Sequence, residues 1–159
     1  MKIAFITSHI YKSTQWKWFS EELLHRDIYH IHIIIADDYP LMADELKKQG
    51  VRVYVLDHLS KFSLIINLVK IIKILKQEKI NLVHTELPYG NLLGQTAALL
   101  AGIKRRISTC ENTSWAIDHK NRKQLWIDTL TYRLAKKIIV LTDLSKEYLI
   151  NNYKLQEHK

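Results

Sequence analysis

The hydrophobic and polar positions along the chain change period repeatedly. Residues 2–7 (KIAFIT) form a short β-rich run, and a polar stretch leads to 16–25, where Trp16, Phe19, Leu23 and Leu24 recur at helical spacing. Residues 29–36 (YHIHIIIA) are a second run rich in β-branched side chains, 41–49 a helical segment closed by Gly50, and 51–56 (VRVYVL) a third strand. Residues 62–78 (FSLIINLVKIIKILKQE) are apolar almost all round, with Asn67, Lys70, Lys73 and Gln77 as a narrow polar strip, so this helix is expected to be covered on most sides. Strands at 80–84, 105–110 and 137–141 then alternate with helices at 90–101, 124–136 and 144–150, with Asp143 as the expected cap of the last.

Six strands that read as continuous apolar runs between helical patterns predict an α/β fold. The expected architecture is a doubly wound, mostly parallel Rossmann-like sheet with helices on both faces. The domain should span residues 1–150, with 151–159 as a polar tail. In such sheets ligands bind beyond the carboxyl ends of the strands, so those ends hold the residues to inspect.

The 159 residues, 47% hydrophobic, have ordinary globular composition and fit one domain. The longest uncharged run, 87–103, is broken by Pro88, Gly90, Asn91, Gly94 and Gln95, short of the roughly 20 apolar residues that cross a bilayer. The first residues, MKIAFITSHI, lack the pattern of a secretory signal, and the single Cys110 excludes an intramolecular disulfide, so a cytoplasmic chain is expected. The 24 Lys and Arg against 16 Asp and Glu give a net charge of +8, which favours anionic partners. The lysines are scattered and no nucleic-acid motif appears, so no specific nucleic acid is expected. His30 and His32 share one face of strand two without a third ligand placed near them, which reads as packing and gives no metal site. Cys110 reads as a small buried hydrophobe.

After strand one come Ser8, His9 and the residues to Gln15 without one glycine, so neither a dinucleotide turn nor a P-loop is present. After strand four come His84, Thr85, Glu86 and the residues to Asn91, and after strand five Glu111 and Asn112, continuing through Asp118 to Lys123. The residues alone leave two readings of these segments open. They are solvated loops and caps, or they are ligand contacts, with His119, Lys120 and Arg122 suited to a phosphate.

Residues 81–94 (NLVHTELPYGNLLG), 107–123 (ISTCENTSWAIDHKNRK) and 130–149 (LTYRLAKKIIVLTDLSKEYL) resemble, in order and spacing, the amino-terminal half of family-4 retaining glycosyltransferases of the GT-B fold. The resemblance implies a Rossmann-like domain that binds a sugar acceptor, lipid-linked or polysaccharide. It implies a nucleotide-sugar donor held by a second, donor-binding domain in cis or in trans, beyond residue 159. It implies no cofactor in this chain and no metal. By the same resemblance Glu111 and His119 are the catalytic candidates. Ser8, His9, His84, Glu86, Asn91, Asn112, Lys120 and Arg122 are the acceptor-binding candidates. Where the family often carries His-x-His after strand four, this chain has His84 and Glu86, and the usual histidine after strand five is Glu111. A carboxylate at these positions accepts a hydrogen bond from an acceptor hydroxyl or serves as its base. By itself the chain is expected to transfer no sugar.

Two other classes compete. One is a non-catalytic acceptor- or membrane-binding subunit that recruits a donor-binding chain; the other, weaker, is nucleic-acid binding. The 62–78 helix bears on the first, because an apolar face beside Lys61, Lys70, Lys73, Lys76 and Lys79 suits an anionic membrane surface at the inner leaflet as well as a crossover helix. The aromatic segment 11–19, with Lys12, Trp16, Lys17 and Trp18, is a second candidate contact.

Overall fold

The computed structural model describes residues 1–57, 61–110 and 121–155. Among these, β1 (Lys2–Ser8), α1 (Thr14–His25), β2 (Tyr29–Ala36), α2 (Leu41–Lys48), β3 (Arg52–Asp57) and α3 (Lys61–Gln77) make the first half. The second half is β4 (Leu82–Thr85), α4 (Pro88–Leu100), β5 (Arg105–Cys110), α5 (Arg122–Leu134), β6 (Lys137–Val140) and α6 (Asp143–Tyr153). The strands form one all-parallel sheet in the order β3-β2-β1-β4-β5-β6. This is the expected doubly wound α/β architecture, and the strand order reverses between β1 and β4.

Alternation along the central strands assigns each side chain to a layer. Ala4 and Ile6 of β1 join Ile31, Ile33 and Ile35 of β2 in a core covered by Ile71, Ile74 and Leu75 of α3 and Leu93, Ala97 and Ala98 of α4. Ile3, Phe5, Ile34 and Ala36 point the other way, onto Trp16 and Leu23 of α1 and Met42, Ala43 and Leu46 of α2. Both faces being covered explains why the strands read as unbroken apolar runs. A third cluster at the far edge packs Cys110, Tyr132, Leu149 and Tyr153, with the Cys110 Sγ 2.8 Å from the Tyr132 hydroxyl.

Several details depart from the sequence expectations. The cap of α6 is Thr142, whose hydroxyl accepts from the Ser145 N–H at 3.1 Å, and not Asp143, which occupies the first helical turn. The helix also runs past residue 150: Tyr153 is buried, its ring centroid 5.2 Å from that of Tyr132, because apolar packing continues there. Trp16, one of the apolar positions at helical spacing and also part of the candidate aromatic contact 11–19, is buried over Phe5 and so belongs to the packing of α1 on the sheet. The expected polar strip of α3 is broken at Asn67, which is buried and donates to the Asp57 carbonyl at 2.8 Å. Phe62, Ile65, Ile66 and Val69 are 53–79% exposed, so the described residues do not cover α3 on most sides.

At the opposite, amino-terminal end of the sheet, Glu78 ends α3 and ties it to two strands. Its carboxylate accepts from the Tyr29 and Tyr54 hydroxyls and from the Arg52 guanidinium, at 2.6, 2.5 and 2.5 Å. Burial pushes the Glu78 carboxyl up, but these three donors outweigh it and hold it at about 2. Glu78→Ala leaves them without their acceptor and should lower stability by about 2 kcal/mol in urea unfolding at pH 7. An unchanged midpoint would mean that water replaces the carboxylate at no cost.

Candidate functional site

The site is built at the carboxyl edge where β1 and β4 part. The chain leaves both strands through left-handed backbone: His9 has φ +55° and Leu87 φ +63°. Non-glycine residues rarely adopt these values, and such strain concentrates at functional edges. The His9 N–H donates to the Ile35 carbonyl at 2.8 Å, and the Tyr11 carbonyl accepts from the Met42 N–H at 3.1 Å, so the loop after β1 is pinned to β2 and α2. Between them opens a cleft of about 170 Å³ lined by His9, Ile10, Tyr11, Ala36, Asp37, Asp38 and Pro40. The His9 Nδ1 lies 3.8 Å from the Asp37 carboxylate, and the Tyr89 ring stands edge-on to the His9 ring at 5.6 Å.

Glu86 follows β4 with its side chain buried. Its backbone N–H donates to the Ile6 carbonyl at 3.0 Å, and its Oε2 accepts from the Trp16 Nε1–H at 2.8 Å. The indole thus spans from α1 to the start of α4 and fixes a carboxylate at the switch point. His84, two residues earlier on the same side of the sheet, is half-buried. Its Nε2 is 2.7 Å from the Thr109 hydroxyl, its ring is 5.5 Å from Phe5, and burial pulls its pKa down to about 4, so it is neutral at pH 7.

The other expected contacts are distributed as follows. Ser8 ends β1 fully buried. Asn91 lies inside α4, where its Oδ1 accepts from the Thr85 and Ser108 hydroxyls at 2.6 and 2.9 Å, stitching α4 to β4 and β5. Arg122 is exposed at the first turn of α5, behind the Asn121 cap. Glu111, Asn112, His119 and Lys120 lie outside the described residues. The structure therefore brings His9 and Glu86 to the switch point, each at the end of one of its two strands, with His84 half-buried behind Glu86 and Asn91 in the packing beneath. Asp37, Asp38, Tyr11 and Tyr89 are additions; Asp37 and Asp38 follow strand two directly, and the carboxyl-edge rule applied to that strand selects them. His30 and His32 stack with Phe5 in the α1 layer, and among the described residues no three His, Cys, Asp or Glu side chains are gathered as metal ligands.

Chemically, the edge offers carboxylates that accept from hydroxyl groups, an imidazole that donates or accepts, and tyrosine rings that pack on the C–H face of a sugar. Residues 19–159 match the sequence profile of Glycosyltransferase Family 4. The chain belongs to this family. Within its 81% matched to a curated relative, it is 27% identical over 138 residues to the Escherichia coli UDP-Gal:alpha-D-GlcNAc-diphosphoundecaprenol alpha-1,3-galactosyltransferase, of which it spans 35%. Solved structures share the fold. The UDP-GlcNAc 2-epimerase of Methanocaldococcus jannaschii superposes with a TM-score of 0.75 at 17% identity over 100% of this chain and 44% of that one. The lipopolysaccharide outer core galactosyltransferase WaaB gives 0.72 at 15% identity over 99% and 44%. An epimerase and a transferase fit about equally well, so the fold does not choose between them, and the family 4 match rests on sequence. The chain spans about a third of the curated relative and less than half of these structures.

Proposed function

We propose that this family 4 chain is the acceptor-binding half of a glycosyltransferase that moves a sugar from a nucleotide-sugar to a lipid-linked or polysaccharide acceptor with retention of configuration. The observation that carries the reading is the pair of neighbouring strand ends at the switch point, with Glu86 fixed by Trp16 on one and His9 beside Asp37 on the other. The named acceptor of the E. coli relative, a diphosphate-linked N-acetylglucosamine lipid, supports a lipid-linked acceptor. On this reading Asp37, Asp38 and Glu86 accept from sugar hydroxyls and orient them, while Tyr89 and Tyr11 pack on the ring. Glu111 and His119 remain the catalytic candidates, and Lys120 and Arg122 the phosphate contacts. The donor nucleotide and its domain come from outside these residues, and orientation of the acceptor is this half's contribution to the rate.

The Trp16 indole N–H is a built-in reporter of the test. Titrating a short-chain diphosphate-linked N-acetylglucosamine lipid should shift that resonance, and Asp37→Asn should weaken binding about tenfold, or about 1.4 kcal/mol. Glu86→Gln, which keeps an oxygen to accept from Trp16, should weaken it to a similar degree. Binding with no change at any of these positions would move the acceptor elsewhere. With UDP-galactose added, the chain alone should form no product; measurable turnover would overturn the half-enzyme account.

A further inference from the structure

Helix α3 carries an apolar surface that the described residues leave exposed. At 3.6 residues per turn, Phe62, Ile65, Ile66, Val69, Lys73 and Lys76 share one face spanning roughly 100° of the helix. The four apolar members are 79, 66, 53 and 60% exposed, and Lys70, Lys73 and Lys76 are exposed beside and beyond them. Not one Asp or Glu occurs from Lys61 to Gln77. Because α3 follows β3 directly, the apolar half lies at the carboxyl edge of the sheet and the lysine half runs away from it.

We propose that this face docks α3 onto an anionic lipid surface, independently of the acceptor reading. The apolar turns enter the boundary between headgroups and acyl chains, and the lysine stems follow them while their ammonium groups reach lipid phosphates. The charge decides against the other occupants. The core of a protein interface is depleted in lysine, yet here lysines continue the apolar stripe with no acid on the helix to pair them. Two copies packed through α3 set lysines against lysines or against the apolar half. Aliphatic Ile and Val provide no stacking platform for nucleic-acid bases. No helix among the described residues is long and apolar enough to cross a membrane, so the attachment is to the surface. Docked this way, the carboxyl edge with its cleft sits close to the lipid headgroups.

The test is co-sedimentation of the chain with vesicles. Binding to phosphatidylglycerol-containing vesicles should be at least about tenfold tighter than to pure phosphatidylcholine, and should weaken with salt. The double substitution Ile65→Ser and Val69→Ser should reduce it at least about tenfold. Lys73→Gln with Lys76→Gln should remove most of the preference for anionic lipid. All four side chains are exposed or carry their charge in solvent, so circular dichroism and the unfolding midpoint should be unchanged. Equal binding to both vesicle types, or serine variants that bind like the parent, would overturn the proposal. So would a dimer in solution that the serine variants dissociate, since a second copy would then be the occupant.

Discussion

Lowering the pH from 7 to 5 should cost this fold about 4 kcal/mol, before most carboxylates begin to titrate. The cause is a layer of histidines packed under α1. His32 is fully buried and its pKa is brought down to about 3 by burial and, secondarily, by the neighbouring His30; burial alone brings His84 to about 4 and lowers His30 as well. The groups facing them are the Ser20 hydroxyl at 3.0 Å from His32, the Thr109 hydroxyl, and the rings of Phe5 and Trp16. Trp16 lies between these histidines and the Glu86 carboxylate, to which it donates. A histidine whose folded pKa is depressed is stable in place above its unfolded value near 6.5. As pH falls below that value the unfolded chain takes up a proton that the native state refuses, and stability declines until the folded pKa is reached. His32 and His84 each lose about 2 kcal/mol over this window. Urea unfolding at pH 7 and pH 5 measures the difference, and His84→Gln should remove about half of it. A flat profile would mean that these rings accept protons in the native state. Below pH 4.5 a second loss follows as Glu78, held at about 2, is protonated in the unfolded chain first.

The acid sensitivity was only partly legible in the sequence. The alternation of YHIHIIIA puts His30 and His32 on one face of a strand, where they read as packing; that the face is closed by Trp16 depends on where α1 lands, which no local pattern records. The strands themselves were legible because covering both faces of a parallel sheet writes an unbroken apolar run. Helix α3 shows the limit of that logic. Its apolar residues occur all round, but burial is decided by α4 and β3, which cover one face, and Asn67 turned inward because a strand-end carbonyl was there to meet it. His84 and Asn91 illustrate the same point at the site. Position after or near a strand end marks them as contacts, and only the neighbours show that Asn91 is buried against Thr85 and Ser108 while His84 is half-buried beside Phe5. Asp37 and Asp38 directly follow β2, where the carboxyl-edge rule selects them as it selects the residues after β1, β4 and β5.

Gly90→Ala should destabilise the chain by about 3 kcal/mol and loosen the candidate site with it. A Cβ at Gly90 would stand 2.9 Å from the Ile6 carbonyl oxygen and 2.9 Å from the Thr7 Cα. These are backbone atoms of β1, a strand paired on both sides, so relief requires α4 to lift off the sheet. Overpacking costs about 1–3 kcal/mol where side chains can adjust and more where backbone must move, against a helix-propensity gain of about 1 kcal/mol. Gly94→Ala is the informative contrast. Its Cβ would come 2.5 Å from the Thr85 Cγ2, a side-chain methyl, and 3.2 Å from Ile6. Adding Thr85→Ser removes that methyl and keeps the hydroxyl that bonds Asn91, so the double variant should recover much of the lost stability, whereas no side-chain change rescues Gly90→Ala. The consequence for function follows from position. Gly90 adjoins Tyr89, whose ring rests on His9, so lifting the start of α4 separates the two sides of the switch point. Unfolding midpoints and acceptor titration on the same variants should therefore fall together for Gly90→Ala and recover together for Gly94→Ala with Thr85→Ser. Acceptor binding that survives the loss of stability at Gly90 would show that the Tyr89 to His9 contact does not form the binding edge.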